Sequence, residues 1–393
     1  MTVVEQPHPA QSPDEHPARN HLPVKPGAGQ RKDIQALRAL AVGAVVLYHL
    51  LPHRLTGGFV GVDVFFVVSG FLIGSHLLKE SVTTGRVRLG RFWARRARRL
   101  LPAALLVLVV VAVVTPVLVP LGQRSDVWRQ IMGSAFYVQN WVLAAASVDY
   151  LAADDAASPL QHFWTLSVEE QFYVLLPLVL VVVAWKARRR LLTATGVLAV
   201  LTGASLAYSL HLTHEVPPAA YFSTFTRAWE FLLGTLLAAA VVGGLRLHRY
   251  VRFALGTIGL LLILAAIWRF DGATPFPGYA AALPVVGAMA VIAADGQGPL
   301  ALAARLRPVT WLGDHSYALY LWHWPLIVLV PLATGHALTR VDKIAVLAAS
   351  LVVSYASTKL VEDPLRYSAW LAPSGRAGLA SAAAMVMVAA LAL

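Results

Sequence analysis

Eleven long apolar runs dominate this 393-residue chain. They lie at about 34–52, 59–78, 100–120, 171–185, 191–210, 228–243, 252–268, 279–294, 316–333, 343–361 and 377–393. Such runs approach or reach the roughly 17–25 residues that a helix needs to cross a bilayer. Inside hydrocarbon every backbone N–H and C=O must be satisfied within the segment itself. The predicted fold class is therefore all-α, a polytopic membrane helix bundle of about eleven transmembrane helices. Composition agrees, with 58% hydrophobic residues, 13% charged residues and a mean hydropathy of +0.65. A soluble domain carries about one quarter charged residues. There is no cysteine, which excludes disulfides and thiol catalysis. No Cys/His ligand spacing is present either, so no metal is expected.

The formal charge of +12 does not point to nucleic acid, because the basic residues cluster in short segments between the runs. If the N-terminus is placed inside the cell, 23 of the 32 Lys and Arg residues fall in inner segments. Only Arg54, Arg124, Arg129, Arg227, Arg269, Arg340 and Lys343 fall outside. That asymmetry predicts an N-in, C-out, multi-pass protein of the cytoplasmic membrane, with its basic loops against anionic lipid. Residues 1–30 hold six prolines and no apolar core, and are expected to form a disordered cytoplasmic tail.

The first two runs carry the chemistry. Arg38 and His49 sit in otherwise hydrocarbon-compatible sequence, where an ionisable group marks a functional site by default. Eleven residues make about three turns, so both fall on one helix face about 16 Å apart. Asp63 begins the second run after Gly57, Gly58 and Gly61, and Ser69-Gly70 offers a small-residue contact. The segment RFWARRARRLLPA puts Arg91, Arg95, Arg98 and Arg99 on one helical stripe at the inner surface. Guanidinium forks suit bidentate phosphate contact; topology anchoring is the plainer explanation. Glu169-Glu170 near His162, Trp164 and Tyr173, with Ser167 as a helix cap, opens another apolar run. Arg227 and Glu230 are spaced as an i, i+3 ion pair. His323 lies between two tryptophans inside a run, and nothing in its spacing ties it to Arg38. The stretch 128–147, broken by Gln130, Gln139 and Asn140, is expected to be interfacial or re-entrant rather than a span.

Arg-x10-His followed by GGFVGVDVFFVVSGFLI resembles acyltransferase family 3, the integral-membrane O-acyltransferases of envelope glycans and some small hydroxylated products. Members are often fused to an SGNH-type domain. WTLSVEEQFY, FTRAWEFLLG and VEDPLR resemble family stretches too, and single-glutamate family members keep the position of Glu169. The resemblance covers about 31–370. It implies a membrane acyltransferase domain over 31–370 and a final transmembrane helix over 371–393, expected to be truncated before an extracytoplasmic domain. It also implies an acyl-CoA donor, by family habit acetyl-CoA, and a carbohydrate or other hydroxylated acceptor. In this scheme His49 is general base or acyl carrier, Glu169 orients or charges its imidazole, and Arg38 positions the donor or stabilises the oxyanion. Arg91, Arg95, Arg98 and Arg99 bind the donor phosphates. Asp63, Ser69, His162, Arg227, Glu230 and His323 are candidates to line the cavity, and Glu362 and Arg366 lock a loop. The alternative is a proton-coupled secondary transporter, against which stand an absent two-fold repeat and an odd number of spans.

Overall fold

A computed structural model describes residues 31–146, 158–186, 190–371 and 374–390. The tail 1–30 and the last residues 391–393 lie outside the described residues. The helices are α1 (Lys32–Leu50), α2 (Gly61–Thr84), α3 (Leu89–Leu118), α4 (Leu121–Ala135), α5 (Gln139–Ala146) and α6 (Phe163–Lys186). They continue with α7 (Arg190–Glu215), α8 (Pro217–Phe222), α9 (Thr224–Val242), α10 (Arg249–Arg269), α11 (Ala282–Ala293) and α12 (Pro299–Ala303). The last are α13 (Arg307–Asp314), α14 (Ser316–Thr334), α15 (Arg340–Ser357), α16 (Asp363–Arg366) and α17 (Ser374–Ala390). Among the described residues nine helices are long and apolar enough to cross a membrane.

Among the described residues each of the eleven apolar runs forms a helix, but one is shorter than a span. At twelve residues, α11 reaches only about 18 Å. Pro275 and Pro277 hold the preceding segment in turns, because proline removes a helical donor and clashes with the preceding turn. The run at 377–393 forms α17, whose 17 described residues stand at the lower limit for a span. At its basic end α3 departs from expectation in the other direction. It begins at Leu89 and runs 30 residues, about 45 Å, so the arginine stripe continues the span as one rigid rod. The broken stretch after it forms α4 and α5, joined at Phe136–Val138 with Tyr137 at φ 56°; neither qualifies as a span. Its polar residues pin it to the bundle: the Gln139 backbone N–H donates to Ser167 Oγ at 3.2 Å, and Asn140 Nδ2 donates to the Phe222 carbonyl at 3.1 Å, while Gln139 Nε2 donates to Gln130 Oε1 at 2.7 Å within the stretch.

Small residues let the central helices touch. Gly61 faces the carbonyl of Ala41, and Gly70 faces that of Phe231, so closely that a Cβ at either would overlap backbone. In hydrocarbon, where apolar burial drives little helix association, such contacts and interhelical hydrogen bonds set the packing. Across the start of the bundle, Arg31 pairs with Asp33 at 2.5 Å and with Asp295 at 3.1 Å, while Arg252 pairs with Asp295 at 2.9 Å. These bridges gather the start of α1, the start of α10 and the end of α11. The charge count assigns all three to one membrane face.

Candidate active site

Two neighbouring cavities and one histidine pair make up the site. The basic end of α3 walls the first cavity, about 240 Å³, lined by His76, Phe92, Arg95, Arg96, Arg98, Arg99 and Arg366. Arg95 Nη2 lies 2.6 Å from His76 Nε2. The Nε and Nη1 of Arg98 are buried without a hydrogen-bond partner, an arrangement that an anionic oxygen would complete. Arg91 lies exposed on the stripe and is not among the lining residues. Two lining arginines escape the stripe. Arg96 points about 100° away from Arg95, yet its guanidinium sits 5.0 Å from the Tyr173 ring centroid. Arg366 is delivered by a π-helical turn, Thr358–Glu362, that leads into α16. The expected loop lock thus places a cation in the pocket.

The second cavity, about 80 Å³, shares Arg96 and Arg99 with the first and lies among α1, α2, α3, α6 and α14. Arg38, Ser69, Glu169, Tyr173, Thr165 and Tyr320 line it further along. The carboxylate of Glu169 accepts from Ser69 Oγ at 2.5 Å and from the Tyr173 hydroxyl. Arg38 Nη1 donates to Gln35 Oε1 at 3.0 Å, which fixes its direction from one turn below. Glu170, adjacent on the helix, is not among the lining residues. Helix α6 begins at Phe163, so Ser167 is not a cap: its hydroxyl donates to the Phe163 carbonyl within the first turns.

At the end of this cavity toward the histidines stands Tyr320, whose hydroxyl lies 2.7 Å from Thr165 Oγ1. Beyond it stands the histidine pair. His49, three turns along α1 from Arg38, has its Nδ1 2.9 Å from His323 Nε2. The two imidazole planes differ by 15° with centroids 5.2 Å apart, an edge-to-edge approach that brings the two nitrogens together, and Trp324 lies against His49 at 4.4 Å. His323 Nδ1 faces the carbonyls of Leu319 and Tyr320 at 3.1 and 2.7 Å. His162 stacks edge-on to His323 at 5.8 Å, and its Nε2 donates to the Leu321 carbonyl at 3.1 Å. Both inner histidines are fully buried, whereas His49 keeps partial exposure.

Several placements differ from the sequence scheme. The group facing the His49 imidazole nitrogen is His323; Glu169 is engaged by Ser69 and Tyr173. Of the six candidates to line the cavity, Ser69 does so. Asp63, Arg227 and Glu230 instead form a buried ion triad between α2 and α9. Arg227 Nη1 lies 3.0 Å from Asp63 and 2.8 Å from Glu230, boxed by Phe66, Trp164, Tyr221 and Phe276. The i, i+3 pair is therefore present, and its third member comes from the neighbouring helix. The sequence reading missed Tyr320, Thr165 and the link between the two histidines. Tyr320 stands three residues before His323, the one local signal available.

A bundle with nine helices long and apolar enough to cross a membrane among the described residues, carrying an arginine-walled cavity, a second charged cavity and a histidine pair, is a polytopic helical membrane protein. The acyltransferase 3 model, described as an acyltransferase domain, matches residues 31–359. The chain is 33% identical over 349 residues to the O-acetyltransferase OatA of Staphylococcus aureus, covering 85% of this chain and 57% of that protein. It is 32% identical over 356 residues to the peptidoglycan O-acetyltransferase OatA of Listeria monocytogenes, covering 86% and 56%. The chain belongs to the acyltransferase 3 family. It spans a little over half the length of these relatives. No solved structure matches it.

Proposed function

We propose that the protein transfers an acetyl group from cytoplasmic acetyl-CoA to a hydroxyl of a cell-wall glycan outside the cytoplasmic membrane. The observation that carries this reading is that the arginine pocket and the second cavity share Arg96 and Arg99 in their walls. Arg95, Arg98, Arg99, Arg96 and Arg366 bind the donor phosphates, with Arg91 adding charge at the mouth. The thioester-bearing arm enters the second cavity, where Arg38, Ser69, Glu169 and Tyr173 position it. Arg38 lies about 16 Å along the helix from His49. That separation favours donor positioning over oxyanion stabilisation for this arginine. Glu169, the carboxylate among the lining residues, offsets the charge of Arg38, Arg96 and Arg99 in a low-dielectric setting.

At the far end, His49 takes the proton of the acceptor hydroxyl as the oxygen attacks the thioester carbonyl. Collapse of the tetrahedral intermediate forms the ester and expels the CoA sulfur, which regains the proton as CoA thiol. The names of the two relatives support an acetyl group and a glycan acceptor, and the positive-inside count supports a cytoplasmic donor mouth. Purified protein in proteoliposomes, given acetyl-CoA and cell-wall glycan fragments, should release CoA thiol in step with glycan ester formation. Ester formation without acetyl-CoA, or no ester in its presence, contradicts the reading.

A further inference from the structure

We propose that His323 is a positioning residue that holds His49 in the tautomer with its proton on Nδ1 and its lone pair on Nε2. The inference rests on the acyl-transfer reading for its consequence, while its structural content stands on hydrogen-bond geometry alone. A neutral imidazole donates from one nitrogen and accepts at the other. His323 Nδ1 faces two backbone carbonyls, of Leu319 at 3.1 Å and Tyr320 at 2.7 Å. Carbonyl oxygens only accept, so this nitrogen carries the proton. His323 Nε2 is left as an acceptor, and the group it meets at 2.9 Å is His49 Nδ1. His49 must then donate from Nδ1, which assigns the basic lone pair to Nε2.

The arrangement is rigid. His323 is fully buried on α14, and its two carbonyl acceptors belong to its own preceding turn. His162 packs edge-on against it with its own Nε2 committed to the Leu321 carbonyl. Trp324 covers His49 and donates from its indole nitrogen to the Ser158 carbonyl at 2.9 Å, which fixes the pair from the other side. When His49 gains a proton at Nε2, the imidazolium still donates from Nδ1 to His323. That bond becomes charge-assisted and strengthens as the positive charge develops. His323 thereby performs the orienting and stabilising task that a carboxylate performs in other histidine-based sites, without placing a fixed anion in the bilayer.

The test pairs a spectroscopic with a kinetic measurement. Solid-state NMR of the full chain carrying 15N-labelled histidine, with His49→Asn to assign its signals, should show His49 protonated at Nδ1 and unprotonated at Nε2. His323→Ala should lose that single tautomer and lower kcat by about 10- to 100-fold, the range of a charge-assisted hydrogen bond. KM for acetyl-CoA should stay unchanged. His323→Gln retains an acceptor at the same reach and should restore the tautomer and much of kcat. A His49 protonated on Nε2 in the unaltered protein overturns the proposal, as does a His323→Ala variant with unchanged tautomer and kcat. Absence of acetyl transfer in the unaltered protein strikes the acyl-transfer reading instead, and the tautomer is still decided by the NMR signals.

Discussion

Arg227→Gln should destabilise the bundle severely, although the residue touches neither cavity. Arg227 is fully buried, and Asp63 and Glu230, also fully buried, lie 3.0 and 2.8 Å from its Nη1. Removing one member of such a set leaves its partners charged in a medium that cannot solvate them, at a cost of about 3–5 kcal/mol. Four aromatic rings within 5.2–5.6 Å of the guanidinium carbon each lose a cation–π contact, worth roughly 0.5–2 kcal/mol. Proton uptake by one carboxylate recovers part of this loss, so the expected net destabilisation is about 3–5 kcal/mol. Equilibrium unfolding in mixed detergent micelles reads it. Neutralising the whole set as Asp63→Asn, Arg227→Met and Glu230→Gln should recover most of the stability, because a buried ion set replaced entirely is often neutral in effect. A loss below about 1 kcal/mol for Arg227→Gln, or no recovery in the triple variant, would refute a packed triad and favour a solvated path through the bundle.

Replacing Arg95, Arg98 and Arg99 together by glutamine should raise KM for acetyl-CoA by at least ~10-fold with kcat largely kept, since each charged hydrogen bond is worth about 1.5–3 kcal/mol. Arg366→Gln should move KM in the same direction by a smaller factor, and an unchanged KM would return that residue to a loop-locking role. Glu169→Gln should remove most turnover, because its carboxylate accepts from Ser69 and Tyr173 inside the cavity. Glu170→Gln should be tolerated, and equal losses in the two variants would count against the cavity assignment.

Much of the fold was legible because bilayer physics writes itself into long apolar runs, and all eleven became helices. The run at 279–294, which fell short, shows the limit. Hydropathy counts apolar residues, whereas Pro275 and Pro277 decide where a helix can begin. The α3 arginines were legible as a stripe, yet Arg96 and Arg366 were not, since a helical period assigns one face and cannot see a residue delivered from elsewhere in the chain. Asp63, Arg227 and Glu230 looked like cavity residues because an ionisable group in a span marks function by default. Their mutual neutralisation depends on the α2–α9 contact, which no local spacing reports. His49 and His323 lie 274 residues apart. Their hydrogen bond is a product of tertiary packing alone.

The central claim, that His49 is the base for acyl transfer from a donor held at the arginine mouth, is tested most directly by His49→Ala at matched membrane protein levels. Acetyl transfer to glycan and binding of acetyl-CoA are measured on the same proteoliposomes. The account predicts that transfer is lost while donor affinity stays unchanged, because His49 lies three turns beyond Arg38 and past the Tyr320–Thr165 end of the donor cavity. Substantial transfer by His49→Ala would contradict it and move the catalytic base elsewhere in the bundle.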